Sequence, residues 1–198
     1  MNKEEFEKLR VPGEILWEDA CVIWDAIIEH KPETVLELGC FRGLSTLVIL
    51  DALKEVFGTE CMEISEHLYV KWAFTSIDIV PMGALFNLKD TKHARRAELV
   101  PSCAPVTHIV SDALKFLNGI RSECVDLIFE DTTHQTAYTR QLIPEILRVL
   151  KPDGVALFHD LKLITMQLAF KKEGLKKKLK LFPPSWMGQL RKENGVLV

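Results

Sequence analysis

Hydrophobic residues follow two alternating patterns along the chain: short continuous apolar runs, and longer stretches with apolar positions three to four residues apart. The short runs predict strands at 35–38, 73–79, 106–110, 125–129 and 155–158. The longer stretches predict helices at 3–9, 14–29, 45–57, 88–99, 113–120, 135–150 and about 161–178. Two closing strands are predicted at 179–182 and 195–198, and residues 183–188 are predicted to link them.

Strands that alternate with helices are typical of a parallel sheet with right-handed crossovers. The predicted fold class is therefore α/β: a Rossmann-like, doubly wound, mainly parallel seven-stranded sheet with an antiparallel C-terminal strand. We expect residues 1–198 to form a single domain, with an N-terminal helical segment at 1–33 and an insertion at 58–71. Pro144 is expected to kink or split the helix at 135–150.

Composition narrows the classes of partner. The net charge of −3 gives no argument for a nucleic-acid partner, and no stretch is long and apolar enough to span a membrane. Five cysteines without metal-site spacing indicate reduced thiols, so we expect a cytoplasmic protein. Whether the protein forms a homo-oligomer is left open by the sequence. The basic run at 171–180 is interpreted as the solvated face of a helix, and a patch for an anionic substrate or a membrane surface is the alternative.

The first predicted strand runs into a glycine turn and then a helix, with the sequence T-V-L-E-L-G-C-F-R-G-L-S-T-L at 34–47. Such a unit presents backbone N–H groups at a helix N-terminus to a ligand. Gly39 and Gly43 suit a tight turn and close approach of a ligand to the backbone. A dinucleotide-binding turn would carry a further glycine where this chain has Phe41, so the bulky side chain argues against a pyrophosphate ligand.

Acidic residues lie at the ends of the predicted strands. Each one alone is typical of a helix N-cap or a solvated loop. Ligands of parallel sheets bind beyond the carboxyl ends of the strands, and an acid at each of five ends therefore indicates a binding site. The five acids are Glu37, Asp78, Asp112, Asp131 and Asp160.

The pattern E-x-G-x-x-x-G-x-S at 37–45 resembles the first motif of the class I S-adenosylmethionine (SAM)-dependent methyltransferases. S-I-D-I-V-P at 76–81 looks like the second motif of that family, whose acid binds the ribose hydroxyls. S-D-A at 111–113 is similar to the segment that meets the adenine amino group, and L-K-P-D-G-V at 150–155 resembles the turn before the fifth strand. The resemblance implies SAM as the cofactor, held by Glu37, Gly39, Gly43, Ser45, Asp78, Ser111 and Asp112.

The ribose acid usually follows the glycine turn by about 20 residues, and Asp78 follows Gly43 by 35. Either residues 58–71 are inserted between the two motifs, or the acid is Glu60, Glu63 or Glu66. Asp78 is favoured because it alone ends a convincing strand.

A second group of residues resembles one methyltransferase subgroup. D-L-I-F-E-D-T-T-H at 126–134, followed by F-H-D at 158–160, is similar to the D-L-I-F-I-D-G-D-H and V-F-H-D motifs of small-molecule and sugar O-methyltransferases. In the metal-dependent members, carboxylates at the ends of strands four and five hold a divalent ion. The resemblance implies Asp131 and Asp160 as ligands of an ion such as Mg²⁺, and Asp131 and His134 as catalytic residues.

Several features leave alternatives open at this second group. Thr132 and Thr133 replace the glycine and the second aspartate of the motif, and Glu130 replaces an apolar residue, so a site without metal is the alternative. His134 is either a general base, for which its ordinary pKa is suitable, or a helix-terminal residue bonded to a carbonyl. His159 is interpreted as structural because it precedes an acid on a buried strand.

The predicted function is SAM-dependent methylation of oxygen on a small-molecule acceptor, with sugar-containing metabolites among the candidates and divalent metal assistance as an option. One alternative is a SAM-binding, non-catalytic regulatory or assembly subunit, which Thr132 and Thr133 would suit. A third is an NAD-dependent oxidoreductase, and Phe41 argues against it.

Overall fold

The computed structural model describes residues 1–58, 62–64, 67–69, 72–79 and 106–198, and the structural statements below concern these residues. The helices are α1 (Lys3–Leu9), α2 (Trp17–His30), α3 (Leu44–Phe57), α4 (Ala113–Gly119), α5 (Thr136–Val149) and α6 (Ile164–Lys172). The strands are β1 (Thr34–Leu38), β2 (Met62–Ile64), β3 (His67–Tyr69), β4 (Ala73–Asp78), β5 (Val106–Val110), β6 (Val125–Glu130), β7 (Leu150–Phe158), β8 (Lys180–Leu181), β9 (Gly188–Glu193) and β10 (Val196–Leu197). The predicted helix at 88–99 and the alternative acids Glu60 and Glu66 lie outside the described residues.

One large sheet has the strand order β10-β9-β7-β6-β1-β4-β5, and β8 also pairs with β9. Strands β1, β4, β5, β6 and β7 are mutually parallel, whereas β8, β9 and β10 form antiparallel pairs at the C-terminal side. This confirms the predicted α/β class, a mainly parallel Rossmann-like sheet with antiparallel strands at its C-terminal end. Strands β2 and β3 form a separate antiparallel hairpin within the region predicted as an insertion.

The register of the parallel strands brings their carboxyl ends to one edge. Leu38 at the end of β1 pairs with Ile77 on one side and with Glu130 on the other. Glu130 in turn pairs with Phe158 at the end of β7. The residues that follow these strands are therefore neighbours in space, although they are far apart in the sequence.

Apolar residues cover both faces of the sheet. One core cluster joins alternate residues of β1, β6 and β7 to helices α1, α2 and α3, and the other joins the intervening residues to α4, α5 and α6. Strands buried on both faces appear in the sequence as continuous apolar runs, which explains why the central strands could be predicted. Among the described helices, none combines the length and the apolar character needed to cross a membrane.

The C-terminal region differs from the prediction. Strand β9, which lies between β7 and β10, was not predicted: residue 188 was assigned to a linker and 189–193 to no element. Its buried positions are Gly188, Leu190 and Lys192, so the buried face carries a single large apolar side chain. Lys192 is accommodated there because its Nζ donates a hydrogen bond to the carbonyl of Leu150 at 2.8 Å.

Two helix predictions also need correction. Helix α6 ends at Lys172 rather than near residue 178, and Gly174 with φ of +72° follows its end. Helix α5 is not split by Pro144, which lies inside a continuous helix. Pro144 and Arg140 are both on the exposed face, so water can bond the Arg140 carbonyl that proline leaves without an N–H donor.

Candidate active site

The glycine turn after β1 is packed directly against the end of β6. The Gly39 N–H donates to the Ile77 carbonyl at 2.8 Å, and the Asp131 N–H donates to the Leu38 carbonyl at 2.8 Å. Gly39 has φ of +82°, and a Cβ at this position would lie 2.4 Å from the Asp131 carbonyl oxygen. A side chain is therefore excluded twice, by conformation and by space. Gly43, with φ of +79°, immediately precedes the first residue of α3.

Glu37 lies behind this turn and is fully buried. Its two carboxylate oxygens accept hydrogen bonds from the hydroxyls of Ser45 and Thr46, each at 2.7 Å. Burial raises the pKa of Glu37 to about 7, although these hydroxyl bonds act in the opposite direction. Glu37 ties β1 to the first turn of α3 and lines neither cavity described below. Direct contact between Glu37 and a cofactor stays a prediction that this arrangement does not favour.

A cavity of about 410 Å³ opens beyond the ends of β1, β4, β5 and β6. Asp78 lies in its wall, and its Oδ2 accepts hydrogen bonds from the amides of Cys40 at 3.0 Å and Phe41 at 3.1 Å. Phe41 has a positive φ of +44°, and its side chain is half exposed above the turn. The cavity is lined by Gly39, Phe41, Ile77, Asp78, Ile79, Ser111, Asp112, Ala113, Asp131, Thr132, Thr133 and Tyr138.

Ser111 and Asp112 stand on the far wall of the larger cavity, after β5. Asp112 caps α4, since its Oδ1 accepts from the Lys115 amide at 2.9 Å. Its Oδ2 accepts from the Tyr138 hydroxyl at 2.9 Å. Burial, followed by the contact with Asp112, raises the pKa of Tyr138 to about 12, so the phenol keeps its proton. Capping therefore does not exclude Asp112 from the cavity wall.

A second cavity of about 240 Å³ shares Phe41, Asp131 and Thr132 with the first. The N-terminal segment closes one side of it with Gly13, Glu14 and Ile15. Histidines and acids line the opposite side. The complete lining is Gly13, Glu14, Ile15, Cys40, Phe41, Arg42, Leu44, Ser45, Asp131, Thr132, His134, His159 and Asp160.

The structure brings Asp131, His134 and Asp160 together in this smaller cavity. His134 Nε2 lies 2.9 Å from Asp160 Oδ2 and 3.5 Å from Asp131 Oδ1, as ion-pair contacts without good hydrogen-bond direction. Asp131 and Asp160 raise the pKa of His134 to about 10, so its ring is a cation at neutral pH. A ligand atom from each of the three side chains lies within 4.8 Å of the others.

His159 and Asp19 belong to the same cluster and were not predicted as site residues. His159 Nδ1 is 3.0 Å from Asp131 Oδ1, and its Nε2 is 3.3 Å from Asp19 Oδ2. Burial acts against the charged ring, but the bonds to Asp131 and Asp19 prevail and raise the pKa of His159 to about 10. His159 therefore links Asp131 to helix α2, and the sequence carries no local signal of a pair separated by 140 residues.

Asp19 connects the cluster to the C-terminal segment. This aspartate is 1% exposed, and its Oδ1 accepts from the Ser185 hydroxyl and the Trp186 amide, each at 2.8 Å. Its Oδ2 accepts from the Leu16 amide at 2.9 Å, at the start of α2. Burial acts to raise the pKa of Asp19, yet these bonds and the one from His159 lower it to about 2.

Glu130 is buried at the end of β6, one residue before Asp131. Its Oε1 accepts from the amide of Thr132 at 3.0 Å and from the Thr132 hydroxyl at 2.6 Å. Burial raises the pKa of Glu130 to about 7. Thr132, which replaces the motif glycine, thus supplies a hydroxyl that holds the unusual acid in place.

The donor set of the smaller cavity is suited to a divalent ion. Its two carboxylates are hard oxygen ligands of the kind that Mg²⁺ or Mn²⁺ accepts, and its imidazole is a softer ligand that suits a transition-metal ion. One ligand atom from each of the three side chains lies within 4.8 Å of the others. Both contacts of His134 are made by Nε2, the nitrogen that would bind the ion. A metal ion and the Nε2 proton would therefore compete for this position.

The fold and the strand-end site define a class I SAM-dependent methyltransferase. A sequence profile described as a methyltransferase domain matches residues 36–161, and the chain belongs to that family. A comparison with curated protein sequences gives no significant match. Family membership favours the predicted methyltransferase over the oxidoreductase alternative.

Solved methyltransferase structures share the fold. The chain is similar to the SAH-bound methyltransferase PaMTH1 of Podospora anserina, with a TM-score of 0.67 and 17% identity over 96% of this chain and 86% of that one. It is also similar to an O-methyltransferase from Bacillus cereus in complex with SAH, with a TM-score of 0.60 and 12% identity over 97% and 92% of the two chains. At these identities the likeness shows the fold alone.

Proposed function

We propose that the protein transfers the methyl group of SAM to an oxygen atom of a small-molecule acceptor. The observation that carries this proposal is the division of the site into two adjoining cavities, of which only the smaller contains the cluster of acids and histidines. The larger cavity is suited to a nucleoside, and the smaller cavity is suited to a polar acceptor. They share Phe41, Asp131 and Thr132, so the reacting groups of two ligands would meet there.

The larger cavity is assigned to the adenosyl part of the cofactor. Its volume lies in the range of small-molecule pockets. Ile77, Ile79 and Ala113 offer apolar contacts for a base, and Asp78 and Asp112 are acceptors for hydroxyl and amino donors. SAM, when bound, supplies an electrophilic methyl group on a sulfonium, and the nearby carboxylates favour that positive charge.

The methionine part of SAM is assigned to the glycine turn. Gly39 and Gly43 give the turn its conformation, and Ser45 lines the smaller cavity at the start of α3. Glu37 acts from behind the turn by holding the hydroxyls of Ser45 and Thr46. In this assignment Glu37 is a positioning residue for the cofactor site.

The acceptor side is assigned to Asp131, His134 and Asp160. If a divalent ion is bound, these three side chains would hold it, and it would stabilise the negative charge on an acceptor oxygen. Without an ion, His134 is protonated at neutral pH and holds Asp131 and Asp160 in place. Asp131 is then the residue that can accept a hydrogen bond from an acceptor hydroxyl. The carboxylates of the acceptor site, the small cavity and the fold shared with a solved O-methyltransferase together support O-methylation.

Calorimetry with SAH tests the cofactor assignment, and Asp78→Asn is the informative variant. We expect SAH to bind the wild type and the Asn variant to bind about tenfold more weakly, because a charge-assisted hydrogen bond contributes roughly that difference. Asp153→Asn, at an exposed position of β7 that lines neither cavity, is the matched control and should bind SAH as the wild type does. Absence of SAH binding to the wild type would refute the proposal.

Turnover tests the acceptor assignment separately. A panel of hydroxylated small molecules, including sugars and catechols, would be incubated with SAM, with either Mg²⁺ or EDTA, and SAH release would be measured. We expect Asp131→Asn and Asp160→Asn to abolish release while SAH still binds. Unchanged release in both variants would place the chemistry elsewhere.

A further inference from the structure

Positive charge is concentrated in one stretch of the chain, residues 162–181, which we call the basic strip. Seven lysines against one glutamate give the strip a net charge of +6. The whole chain carries −3, so the remainder carries −9. This asymmetry makes one surface of an otherwise acidic protein attractive to anions.

The charges of the strip are not neutralised by neighbouring acids. Its one glutamate, Glu173, accepts a hydrogen bond at 2.8 Å from the Nε of Arg140, which lies outside the strip. Among the described residues, no acid lies within ion-pair distance of four exposed lysines of the strip. These four are Lys171, Lys172, Lys176 and Lys177.

Large apolar side chains are exposed on the same strip. Ile164 is 74% exposed and Leu168 is 41% exposed, and on α6 they share one face with Lys171. The opposite face of the helix is buried, where Phe170 packs edge-on against Phe158 with ring centroids 4.9 Å apart. The outward face of α6 therefore begins with aliphatic side chains and ends with lysines. Leu181, at 58% exposure, adds a further apolar side chain at the end of the strip.

The apolar end of the strip lies beside the smaller cavity. Asp160, in the cavity wall, precedes Ile164 by four residues. The first turn of α6 is joined to the first turn of α5 by a hydrogen bond of 2.9 Å from the Thr136 hydroxyl to the Thr165 carbonyl. His134, also in the cavity wall, lies two residues before Thr136. A surface bound to this end would thus lie next to the cavity.

We propose that the basic strip docks the protein on an anionic phospholipid surface. Ile164 and Leu168 would enter the boundary between headgroups and acyl chains, and the four exposed lysines would lie near the headgroup phosphates. A nucleic acid would match the lysines but would leave the two aliphatic side chains without a partner. A second copy of the strip would be repelled by its equal charge of +6. Of these three surfaces, the anionic bilayer alone matches both features.

Vesicle sedimentation of the full chain tests this proposal without knowledge of the methyl acceptor. The probes are vesicles of phosphatidylcholine alone and vesicles in which about one third of the lipid is phosphatidylserine. We expect binding to the anionic vesicles only, and weaker binding as salt increases. Each lysine near such a surface contributes about fivefold, so Lys171→Gln with Lys172→Gln should weaken binding about 25-fold.

The apolar contribution is tested with Ile164→Ser and Leu168→Ser together. Both side chains are exposed, so the thermal unfolding temperature should change little, and vesicle binding should fall at least tenfold. The matched controls are the exposed lysines Lys54→Gln with Lys115→Gln, and Val196→Ser, which is 63% exposed on β10. All three substitutions lie outside the strip, and the control variants should bind vesicles as the wild type does.

Three results would overturn the proposal. One is a failure of the wild type to sediment with anionic vesicles at low salt. Another is binding of a polyanion such as single-stranded RNA that the serine substitutions leave unchanged, which would assign the lysines to nucleic acid. The third is a self-association that the serine substitutions abolish, which would make this surface an interface between copies. None of these outcomes depends on methyl transfer, so the proposed enzymatic function is tested independently, by SAH binding and turnover.

Discussion

Asp19→Asn tests the buried ion pair that anchors the acid–histidine cluster to helix α2. Asp19 accepts hydrogen bonds from the Leu16 and Trp186 amides, the Ser185 hydroxyl and the His159 ring. Asparagine has the same shape, but it lacks the charge that pairs with His159. It also turns an N–H group toward one of the present donors. The change therefore removes one partner of a buried ion pair and leaves at least one buried donor unbonded.

The expected cost is about 3 kcal/mol in the free energy of unfolding, at the lower end of the roughly 3–5 kcal/mol for a broken buried pair, because the amide oxygen keeps some of the acceptor role. For a chain of this length, each kcal/mol lowers the thermal midpoint by about 2–4 °C, so we expect a decrease of roughly 6–12 °C. Asp25→Asn makes the same chemical change at an exposed position of α2 and should alter the free energy of unfolding by less than about 0.5 kcal/mol.

The pH dependence of this loss distinguishes an ion pair from simple packing. The pKa of Asp19 is lowered from 3.8 to about 2, so its contribution is present above pH 3.8 and is lost as the pH falls through 2. The pKa of His159 is raised from 6.5 to about 10, so its contribution is complete below pH 6.5 and is lost as the pH rises through 10. The stability gap between wild type and variant should therefore be largest between pH 3.8 and 6.5 and should narrow toward pH 10.

Urea denaturation followed by tryptophan fluorescence, with EDTA present, measures this gap at several pH values. Equal gaps inside the window and at pH 10 would refute the ion pair as the source of the stability. A gap no larger than that of Asp25→Asn would refute the whole assignment of Asp19 as a buried anchor.

Three other predictions concern the site itself. Gly39→Ala should lower SAH affinity at least tenfold in calorimetry, because its Cβ would lie 2.4 Å from the Asp131 carbonyl oxygen; near-normal affinity would contradict this close approach. Calorimetric titration with Mn²⁺ in two buffers of different ionisation enthalpy should reveal release of about one proton near neutral pH. The reason is that His134 has a pKa of about 10 and its ring binds a metal ion only when it is neutral. Binding of Mn²⁺ without proton release would remove His134 from the ligand set. Glu130, whose pKa is raised from 4.5 to about 7, makes the wild type lose stability as the pH rises from 4.5 to 7, so urea midpoints of Glu130→Gln should vary less over that range; identical pH profiles would contradict the raised pKa.

The parts of the fold that could be predicted are those whose signal is local. The strand, turn and helix at 34–47 lie close together in the sequence, and the doubly buried strands give continuous apolar runs. Strand β1 and three of the strands parallel to it were therefore predicted within one residue at each end. Strand β7 begins at Leu150, five residues before its predicted start, because residues 151–154 were interpreted as a turn. Strand β9 gives no such run, because Lys192 occupies a buried position that an apolar residue would normally fill. The sequence does not show that the Leu150 carbonyl accepts a hydrogen bond from the ammonium group of Lys192.

The same distinction applies to the site. Asp131 and Asp160 could be predicted to meet because parallel strands end at one edge and each acid closely follows its strand, whereas His134 was implied only by the resemblance to the methyltransferase motif. The role of His159 could not be predicted, because its second partner, Asp19, lies on helix α2, 140 residues earlier in the sequence. A histidine before an acid on a buried strand is ordinarily structural, and only the position of Asp19 gives the ring two carboxylates.

The two cavities share several residues but differ in their outer walls, and under the proposed function this difference would influence which acceptors bind. All residues that line the larger cavity fall between 36 and 161, the span that the family profile matches. The smaller cavity is closed by residues 13–15, and its acid–histidine cluster is tied through Asp19 to the segment at 185–186. Both segments lie outside the matched span. The lining of the larger cavity therefore lies within the span of the family profile, whereas the outer wall of the smaller cavity comes from residues that the profile does not match. Exchanging residues 13–15 should change which acceptors react while leaving SAH affinity unchanged, and an equal effect on both would show that the two cavities are not separable.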